Sequence, residues 1–426
     1  MITDKLHHQI HFGLTACIAF FIPVYPKLLA LFIILLTLNW LVFPKKIKAS
    51  FQHLKHNKVL FVAIFFYLLY AFGLLYSDNL SFGFKELESK LSFLILPLVY
   101  AGYSQETKEN ITKYLNFFIA GCFVYVLFCF GYATYALLKP EYTNLYGVEY
   151  DLGWNYFYYT YLSRGFHPSY SAMFCVLALY VLMERIKNKL LKPTLWVIIG
   201  ILLLSVFILL LSSKSGWLGL LVMIVVGAYW LIKAKKIKYL MYTSIPLVFF
   251  ILFNIYKTPN FSERLPNMES IKNAIFGKTN ENKNVTTGSD GNASRVFIWK
   301  AASEVIADNL LFGAGTGDAK DVLLDKYEEK QMTSELKYQL NAHNQYLSTT
   351  ISVGILGLFL LLYFLVEMFI KSIRQKNYIT LTFATLVGIN FLFESMLETR
   401  SGIIFFVFFL VLFSNSLSGN NIKITK

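Results

Sequence analysis

The apolar run YLSTTISVGILGLFLLLYFLVEMFI (346–370) carries a single charged side chain, Glu367. A predominantly apolar run of about 20 residues is long enough to cross a bilayer as a helix. Directly before it stands the hydrophilic sequence NAHNQ (341–345), with His343 at its centre. A histidine at such a junction lies at the depth of a lipid head group, and histidine side chains titrate near neutral pH. This junction is therefore the first candidate for a functional site.

The composition of the whole chain extends this conclusion. The 426 residues are 56% hydrophobic and only 15% charged, whereas a soluble protein of this length needs more polar surface to cover its core. Apolar runs of about 17–25 residues recur along the sequence. We count twelve, at about 10–26, 27–44, 59–76, 86–103, 113–138, 165–184, 194–212, 215–232, 239–256, 346–370, 378–395 and 401–417. The prediction is an all-α polytopic membrane protein with about twelve transmembrane helices.

The net charge of +14 fits two classes of protein. Nucleic-acid binding would need a basic stripe interleaved with aromatic residues in a soluble domain, and the sequence has none, so we expect no nucleic-acid partner. In membrane proteins the short cytoplasmic loops collect Lys and Arg. The basic loops follow the even-numbered spans, at 45–58, 185–189, 233–236 and 371–376, while the loop 104–112 has balanced charge. We therefore predict that both termini are cytoplasmic and that the loop 257–345 faces outward.

This large loop divides the chain into three parts. Residues 1–256 hold nine spans, residues 257–345 form the periplasmic loop, and residues 346–426 hold three spans and a cytoplasmic tail. Within the loop, the segment 278–292 is rich in Asn, Thr, Gly and Lys and is predicted to be flexible. Helical periodicity then predicts two short helices, Ser294–Leu311 with Ser294 as the N-cap, and Asp318 to about Gln339.

Taken alone, His343 has an ordinary interpretation. It would cap a helix at the interface, and Gly354 and Gly357 would allow close helix packing. The large loop adds a second motif, in which Arg295 lies four residues before Trp299. Two further motifs are the glycine-rich sequence NLLFGAGTG (309–317), which indicates a tight turn after the first loop helix, and SSKSG (212–216), between the seventh and eighth spans.

This ordered set, over about residues 160–400, resembles the O-antigen ligase and polymerase family of bacterial envelope enzymes. The family pattern has a basic residue in the short outer turn, an Arg-x-x-x-Trp-like element, a glycine-rich patch, and a His-Asn ending followed by Gly-x-x-Gly. One departure concerns the outer turn, which usually reads Ser-Arg-Gly. Here Lys214 replaces the arginine and Ser215 precedes Gly216. Lysine loses the bidentate fork that suits phosphate oxygens, but it still binds phosphate as a point charge.

The resemblance implies a metal-independent, inverting transfer of a glycan from an undecaprenyl-diphosphate-linked donor to an acceptor hydroxyl, without a cofactor, at the outer face of the bacterial inner membrane. In agreement, the outer loops hold no paired Asp/Glu cluster of metal-ligand type. Such a reaction needs a base for the acceptor proton and cations for the departing diphosphate. We assign the base to His343, a catalytic role also to Arg295, and diphosphate binding to Lys214, Arg295, Arg164 and Arg400.

Other residues are supporting candidates. They are Asn344, Tyr346, Glu398, His167, Gly354 and Gly357. Arg164 and Arg400 are also consistent with snorkelling at the interface, and Arg400 with an ion pair to Glu394 or Glu398. Glu398 could instead orient a cation or share the acceptor proton. We interpret His167 as structural or acceptor-facing rather than as the base.

Three reactions remain open within the family. A ligase passes a finished polymer to a lipid A core sugar in lipopolysaccharide biosynthesis, a polymerase passes a growing chain to a new repeat unit, and an oligosaccharyltransferase passes it to a protein hydroxyl. The single large loop near the C-terminus favours the ligase. The expected partners are the lipid-linked donor, a lipid A core or another glycan or protein acceptor, and membrane lipids.

Two other classes of protein fit less well. A transporter of lipid-linked oligosaccharides would hold ionisable groups at mid-membrane, but here the deep parts of the spans are almost free of charge. A structural membrane scaffold would leave Arg295, His343 and the glycine spacing without a reason.

Overall fold

The computed structural model describes residues 4–139, 143–145, 148–150, 153–222 and 291–418. These residues are mostly helical, as predicted, with one short antiparallel strand pair in which β1 (Thr143–Leu145) faces β2 (Val148–Tyr150). The predicted span 239–256, most of the predicted span 215–232 and the part of the predicted flexible segment before residue 291 lie outside the described residues.

The α-helices divide into an N-terminal and a C-terminal series. The first is α1 (Asp4–Val24), α2 (Leu29–Leu41), α3 (Pro44–Leu54), α4 (Lys58–Gly73), α5 (Leu80–Lys90), α6 (Ser92–Gly102), α7 (Ser104–Leu138), α8 (Tyr159–Leu162), α9 (Pro168–Lys187) and α10 (Leu195–Leu210), followed by a helix that begins at residue 214. The second is α11 (Gly291–Asp308), α12 (Ala319–Glu329), α13 (Thr333–Lys337), α14 (Gln345–Gln375), α15 (Tyr378–Phe393) and α16 (Arg400–Leu417). Short 3₁₀ turns lie at Pro26–Leu28, Leu74–Tyr76, Gly153–Phe157 and Met396–Glu398.

Five of the described helices are long and apolar enough to cross a membrane. They are α4 with its 3₁₀ extension to Tyr76, α7, α9, α14 and α16. The segments Pro26–Leu41 and Pro44–Leu54, bent by 100°, make a sixth if they are counted as one span, and α10 and α15 are apolar but shorter. The described residues thus support a helical membrane protein, and they do not confirm the predicted count of twelve spans.

Two predicted spans are broken in the structure. The span 27–44 ends at Leu41, and the chain turns into the lysine-bearing helix α3 at Pro44, because proline starts a helix readily but cannot continue one. The span 86–103 is divided between α5 and α6. Its charged residues Glu86 and Lys90 pair with each other at the end of α5, which satisfies charges that an apolar crossing could not bury unpaired.

Helix α16 lies at the centre of the bundle. Every residue from Gly402 to Asn415 is buried, and the helix packs against α4, α6, α7 and α14. A helix that is apolar on all faces is typical of such a central position. The turn between α15 and α16, residues 394–399, therefore lies at the end of the candidate span that is most buried among the described residues.

The loop helices form a second, smaller core. Ile298, Ala302 and Val305 of α11 pack with Leu323 and Tyr327 of α12, and this core extends to Ala342, which precedes α14, and to Ile351 in the first turns of α14. The first predicted loop helix is confirmed, but it begins at Gly291, so Ser294 is not its N-cap, and the Ser294 hydroxyl instead donates to Glu335 Oε1 at 2.7 Å. The second is divided into α12 and α13, and Gln331, with a φ of +55°, takes the left-handed conformation between them.

Candidate active site

His343 lies in a strap, residues 341–344, that leads into α14. Its own φ is +46°, a strained value for a residue with a side chain, which persists only where the surroundings enforce it. Trp299 Nε1 donates to the Ala342 carbonyl at 3.0 Å, and the His343 N–H donates to Asn341 Oδ1 at 3.0 Å. The contacts on both sides thus hold the backbone that presents the imidazole.

Asn344 ends the strap and caps α14. Its Oδ1 accepts hydrogen bonds from the backbone N–H groups of Tyr346 and Leu347, which satisfies donors that have no partner inside the helix. Its own N–H donates to Ser395 Oγ at 3.3 Å. The strap is therefore tied to the turn 394–399 as well as to α14.

Arg295 and Trp299 lie four residues apart on α11 and so share one face of this helix. While Trp299 binds the strap, Arg295 reaches the turn 394–399, where its Nη2 lies 3.5 Å from Glu394 Oε1. The Arg-x-x-x-Trp spacing thus lets a single helix contact both segments.

Glu394 is the point at which three predicted site residues converge. Its Oε1 lies 3.5 Å from Arg295 Nη2 and 3.6 Å from His167 Nδ1, and its Oε2 lies 3.9 Å from His343 Nδ1. The Glu394 side chain is 10% exposed, whereas those of the other three are 23–40% exposed. We call these four residues the Glu394 cluster. Its carboxylate lies beneath basic side chains that solvent can reach.

The charges in the cluster favour an ionised carboxylate. Burial raises the pKa of the Glu394 carboxyl, but His343, His167 and Arg295 together outweigh it and lower this pKa below its ordinary value. Burial lowers the pKa of His167, and this effect prevails although Glu394 opposes it. At neutral pH the cluster therefore combines a carboxylate, a guanidinium and a neutral His167, which also caps α9 through a bond from Ser169 N–H.

A chain of serines connects the turn 212–215 to this cluster. Ser169 Oγ donates to Glu394 Oε1 at 3.2 Å, and Ser213 Oγ donates in turn to Ser169 Oγ at 3.3 Å. Ser215 Oγ lies 3.0 Å from Ser213 Oγ. Lys214, between these two buried serines, is exposed. The structure thus places the turn that carries Lys214 beside the Glu394 cluster.

A second group of charges lies next to the first. Lys90 is 2% exposed, pairs with Glu86 and lies 4.7 Å from the ring centre of Tyr70. Glu398 is its neighbour: burial raises the pKa of this carboxyl, although Ser348 and Lys90 oppose the shift. We call Lys90, Glu86, Tyr70 and Glu398 the Lys90 cluster. It reaches the strap through Glu398, which interacts with Asn341 and with Ser348, and the Ser348 hydroxyl also contacts Ser395 Oγ at 2.8 Å.

Two predicted diphosphate ligands are not drawn into the Glu394 cluster. Arg400 Nη2 pairs with Glu88 Oε1 at 2.7 Å on an exposed surface, so its alternative pairing with Glu394 or Glu398 was wrong. The Arg164 guanidinium stacks over the ring of Tyr132 at 3.8 Å. Both contacts agree with an interfacial role for these arginines.

The remaining supporting candidates contribute to packing. Tyr346 Oη donates to the Gly388 carbonyl at 3.1 Å and joins α14 to α15. Gly354, with a φ of +69°, forms the kink of α14, and Gly357 lies beneath this kink, beside Val353 and Thr349. Gly354 and Gly357 were expected to allow two helices to pack closely, but Gly354 instead packs against the loop that follows α11.

The sequence did not indicate the centre of the site. The sequence predicts Glu394 only as a partner of Arg400, and it does not single out Ser169 or Lys90 as site residues. Glu394 directly follows an apolar span, which is a common place for a charged residue at the interface, so its position alone gave no signal. Among the described residues, no group of three His, Cys, Asp or Glu side chains is arranged to hold a metal ion.

A comparison with known families matches the central part of the chain. Residues 199–362 match the family model described as O-antigen ligase. This segment contains Lys214, Arg295 and His343, whereas His167 and Glu394 lie outside it. No curated protein matches the chain.

Proposed function

We propose that this chain, whose residues 199–362 match the O-antigen ligase family model, transfers a glycan from an undecaprenyl-diphosphate-linked donor to an acceptor hydroxyl, at the outer face of a bacterial inner membrane. The observation that carries the proposal is the convergence of Arg295, His167 and His343 on one buried carboxylate, Glu394. A base and a cation held this close together serve the two needs of the reaction, which are proton removal and charge stabilisation.

In this proposal His343 is the base. Its Nδ1 faces Glu394, which leaves Nε2 to take the proton of the acceptor hydroxyl. The acceptor oxygen then forms a bond to the anomeric carbon of the donor sugar as the bond from this carbon to the diphosphate breaks, with inversion. Glu394 holds the imidazole in place and stabilises the positive charge that develops on it.

Arg295 and Lys214 receive the departing diphosphate. Guanidinium has five N–H donors, and the 3.5 Å contact with one oxygen of Glu394 engages few of them, so the others are available to phosphate oxygens. Lys214 lies on the turn that the serine chain connects to Glu394. Arg164 and Arg400 are held at other contacts, and we assign them to the rim of the site. The reaction in this proposal requires no metal.

Glycan transfer in a strain that lacks the endogenous gene tests the proposal. We expect His343→Ala, expressed at the wild-type level, to lower transfer by about 10²–10⁴-fold, the usual contribution of a general base. His56→Ala removes an exposed histidine two residues after the end of α3 and serves as the matched control. Unchanged product from His343→Ala would overturn the assignment.

The products distinguish a ligase from the alternative, a polymerase. If the chain is a ligase, its deletion leaves the acceptor without polymer while lipid-linked polymer accumulates. If it is a polymerase, single repeat units are still attached to the acceptor. We expect the first outcome, because the sequence predicts a single large outer loop near the C-terminus, and the described helices of this loop share one core.

A further inference from the structure

The loop that follows α11, residues 309–313, exposes an unusual group of apolar side chains. Leu310, Leu311 and Phe312 are 47%, 67% and 64% exposed. Soluble surfaces seldom present three large apolar residues in succession, and such patches indicate contact with another apolar phase. We call this segment the 309–313 loop.

Two membrane helices fix the level of the 309–313 loop. The span Lys58–Tyr76 has 19 residues, or about 28 Å at 1.5 Å per residue, close to the hydrocarbon thickness of a bilayer. Tyr76, at its end, donates from its hydroxyl to the Phe312 carbonyl at 2.6 Å. Tyrosine is enriched at this depth of a membrane. The loop therefore lies level with the boundary of the hydrocarbon core.

Helix α14 gives the same level independently. It is kinked at Val353 and Gly354, and its straight part, residues 355–375, measures about 31 Å. The first residue of this part, Ile355, donates its N–H to the Leu310 carbonyl at 2.9 Å. The loop thus contacts the end of a second span, on the same side of the bundle as the Glu394 cluster.

The loop is held firmly against this kink. A Cβ atom on Gly354 would collide with the Leu311 carbonyl oxygen, and one on Gly313 would lie 2.6 Å from the Gly354 nitrogen. Ala314 N–H also donates to the Ile351 carbonyl at 2.7 Å. With its backbone fixed in this way, the loop cannot turn its apolar side chains inward.

The surface beside the 309–313 loop indicates which phase covers the exposed side chains of the loop. Exposed apolar side chains follow α4 at helical spacing and continue to the loop: Phe61, Phe65, Leu68, Phe72 and Leu75. An exposed apolar stripe on a membrane helix faces lipid chains. Between its end and the loop lies an open groove of about 490 Å³ lined by Phe72, Tyr76 and residues 308–313, so the lipid-facing surface is continuous with the loop.

We propose that the 309–313 loop inserts Leu311 and Phe312 among the acyl chains of the bilayer leaflet on the side of the Glu394 cluster. The loop follows directly on α11, which carries Arg295. The insertion anchors the loop helices to the membrane and keeps Arg295 over Glu394. The covering partner is the lipid of the bilayer.

Spin labels in the full-length protein test this insertion. Phe312→Cys and Leu311→Cys are labelled separately in a Cys17→Ala background, because the other three native cysteines are buried. The protein is reconstituted in vesicles of phosphatidylcholine and phosphatidylglycerol, and power saturation is measured with oxygen and with a water-soluble nickel chelate. We expect both labels to be relaxed more strongly by oxygen. The control, Tyr338→Cys, is 57% exposed in the loop domain and should respond mainly to nickel.

Each other outcome overturns the proposal. Relaxation mainly by nickel at 311 and 312 places the loop in water, and weak relaxation by both reagents places it against protein. Spectral broadening that disappears on dilution with unlabelled protein shows a second copy on the loop. None of these readouts depends on glycan transfer, so the insertion and the proposed reaction can fail separately.

Discussion

Glu394 and Glu398 lie four residues apart in one short turn, yet the structure gives them opposite electrostatic environments. Three basic side chains and a serine hydroxyl surround Glu394, and its pKa lies below the ordinary value. Burial dominates at Glu398, and its pKa lies above the ordinary value. A carboxylate at a membrane interface thus acquires its role from the segments that reach it.

The difference in pKa between Glu394 and Glu398 follows from the charged groups next to each carboxylate. Arg295 and two histidines contact Glu394, and the Glu394 cluster contains no second acid. The Lys90 ammonium is already paired with Glu86, so it offsets only part of the cost of burying a second carboxylate, and Glu86 itself raises the pKa of Glu398. We therefore regard the Glu394 cluster as chemical and the Lys90 cluster as structural.

The largest expected effect concerns stability in the Lys90 cluster. Lys90→Met leaves the carboxylates of Glu86 and Glu398 without their cation, and breaking a buried pair costs about 3–5 kcal/mol. The double variant Lys90→Met/Glu86→Leu should regain most of this loss, because apolar replacement of a whole pair is often neutral. Thermal unfolding in detergent measures both. If Lys90→Met is as stable as wild type, the Lys90 cluster does not stabilise the fold.

The second prediction contrasts the two acids in glycan transfer. Glu394→Gln keeps the shape of the side chain but removes the charge that holds His343 and Arg295, and we expect transfer to fall about 100-fold. Glu398→Gln, the matched control in the same turn, should lower it by less than about 3-fold, because this carboxyl touches neither base nor cation of the proposed reaction. Equal losses in both variants would remove the distinction between the clusters.

Local sequence predicted much of this arrangement. The spacing from Arg295 to Trp299, the periodicity of α11 and the span after His343 depend on neighbouring residues, and the structure reproduces all three. Loop charge assigned the segments around 167, 213, 343 and 394 to one side of the membrane, and these segments do meet.

Other features depend on contacts that no local pattern encodes. Glu394 becomes central only because α9, α11 and the strap all reach it, over separations of up to 227 residues. The pair of Lys90 and Glu86, where the span 86–103 is divided, is joined by Glu398, which lies 308 residues after Lys90 in the chain. A hydropathy profile treats such charges as breaks in an apolar span, and it does not predict which residues neutralise them.

The smallest expected effect, and the most direct test of the comparison, is the pH dependence of stability. The pKa of Glu394 is lowered by folding, so its ionised form stabilises the protein above the ordinary value of 4.5, and this contribution is lost as the pH falls through the folded pKa. The pKa of Glu398 is raised, so its ionisation costs stability as the pH rises from 4.5 through the folded pKa.

At pH 7.5 we expect Glu394→Gln to lower the melting temperature, and Glu398→Gln to raise it, by about 2–4 °C each. Both differences from wild type should diminish toward pH 4, as the wild-type carboxyls become neutral. Melting curves of the three proteins in one detergent measure this, and shifts of the same sign at pH 7.5 would contradict the opposed environments of the two acids.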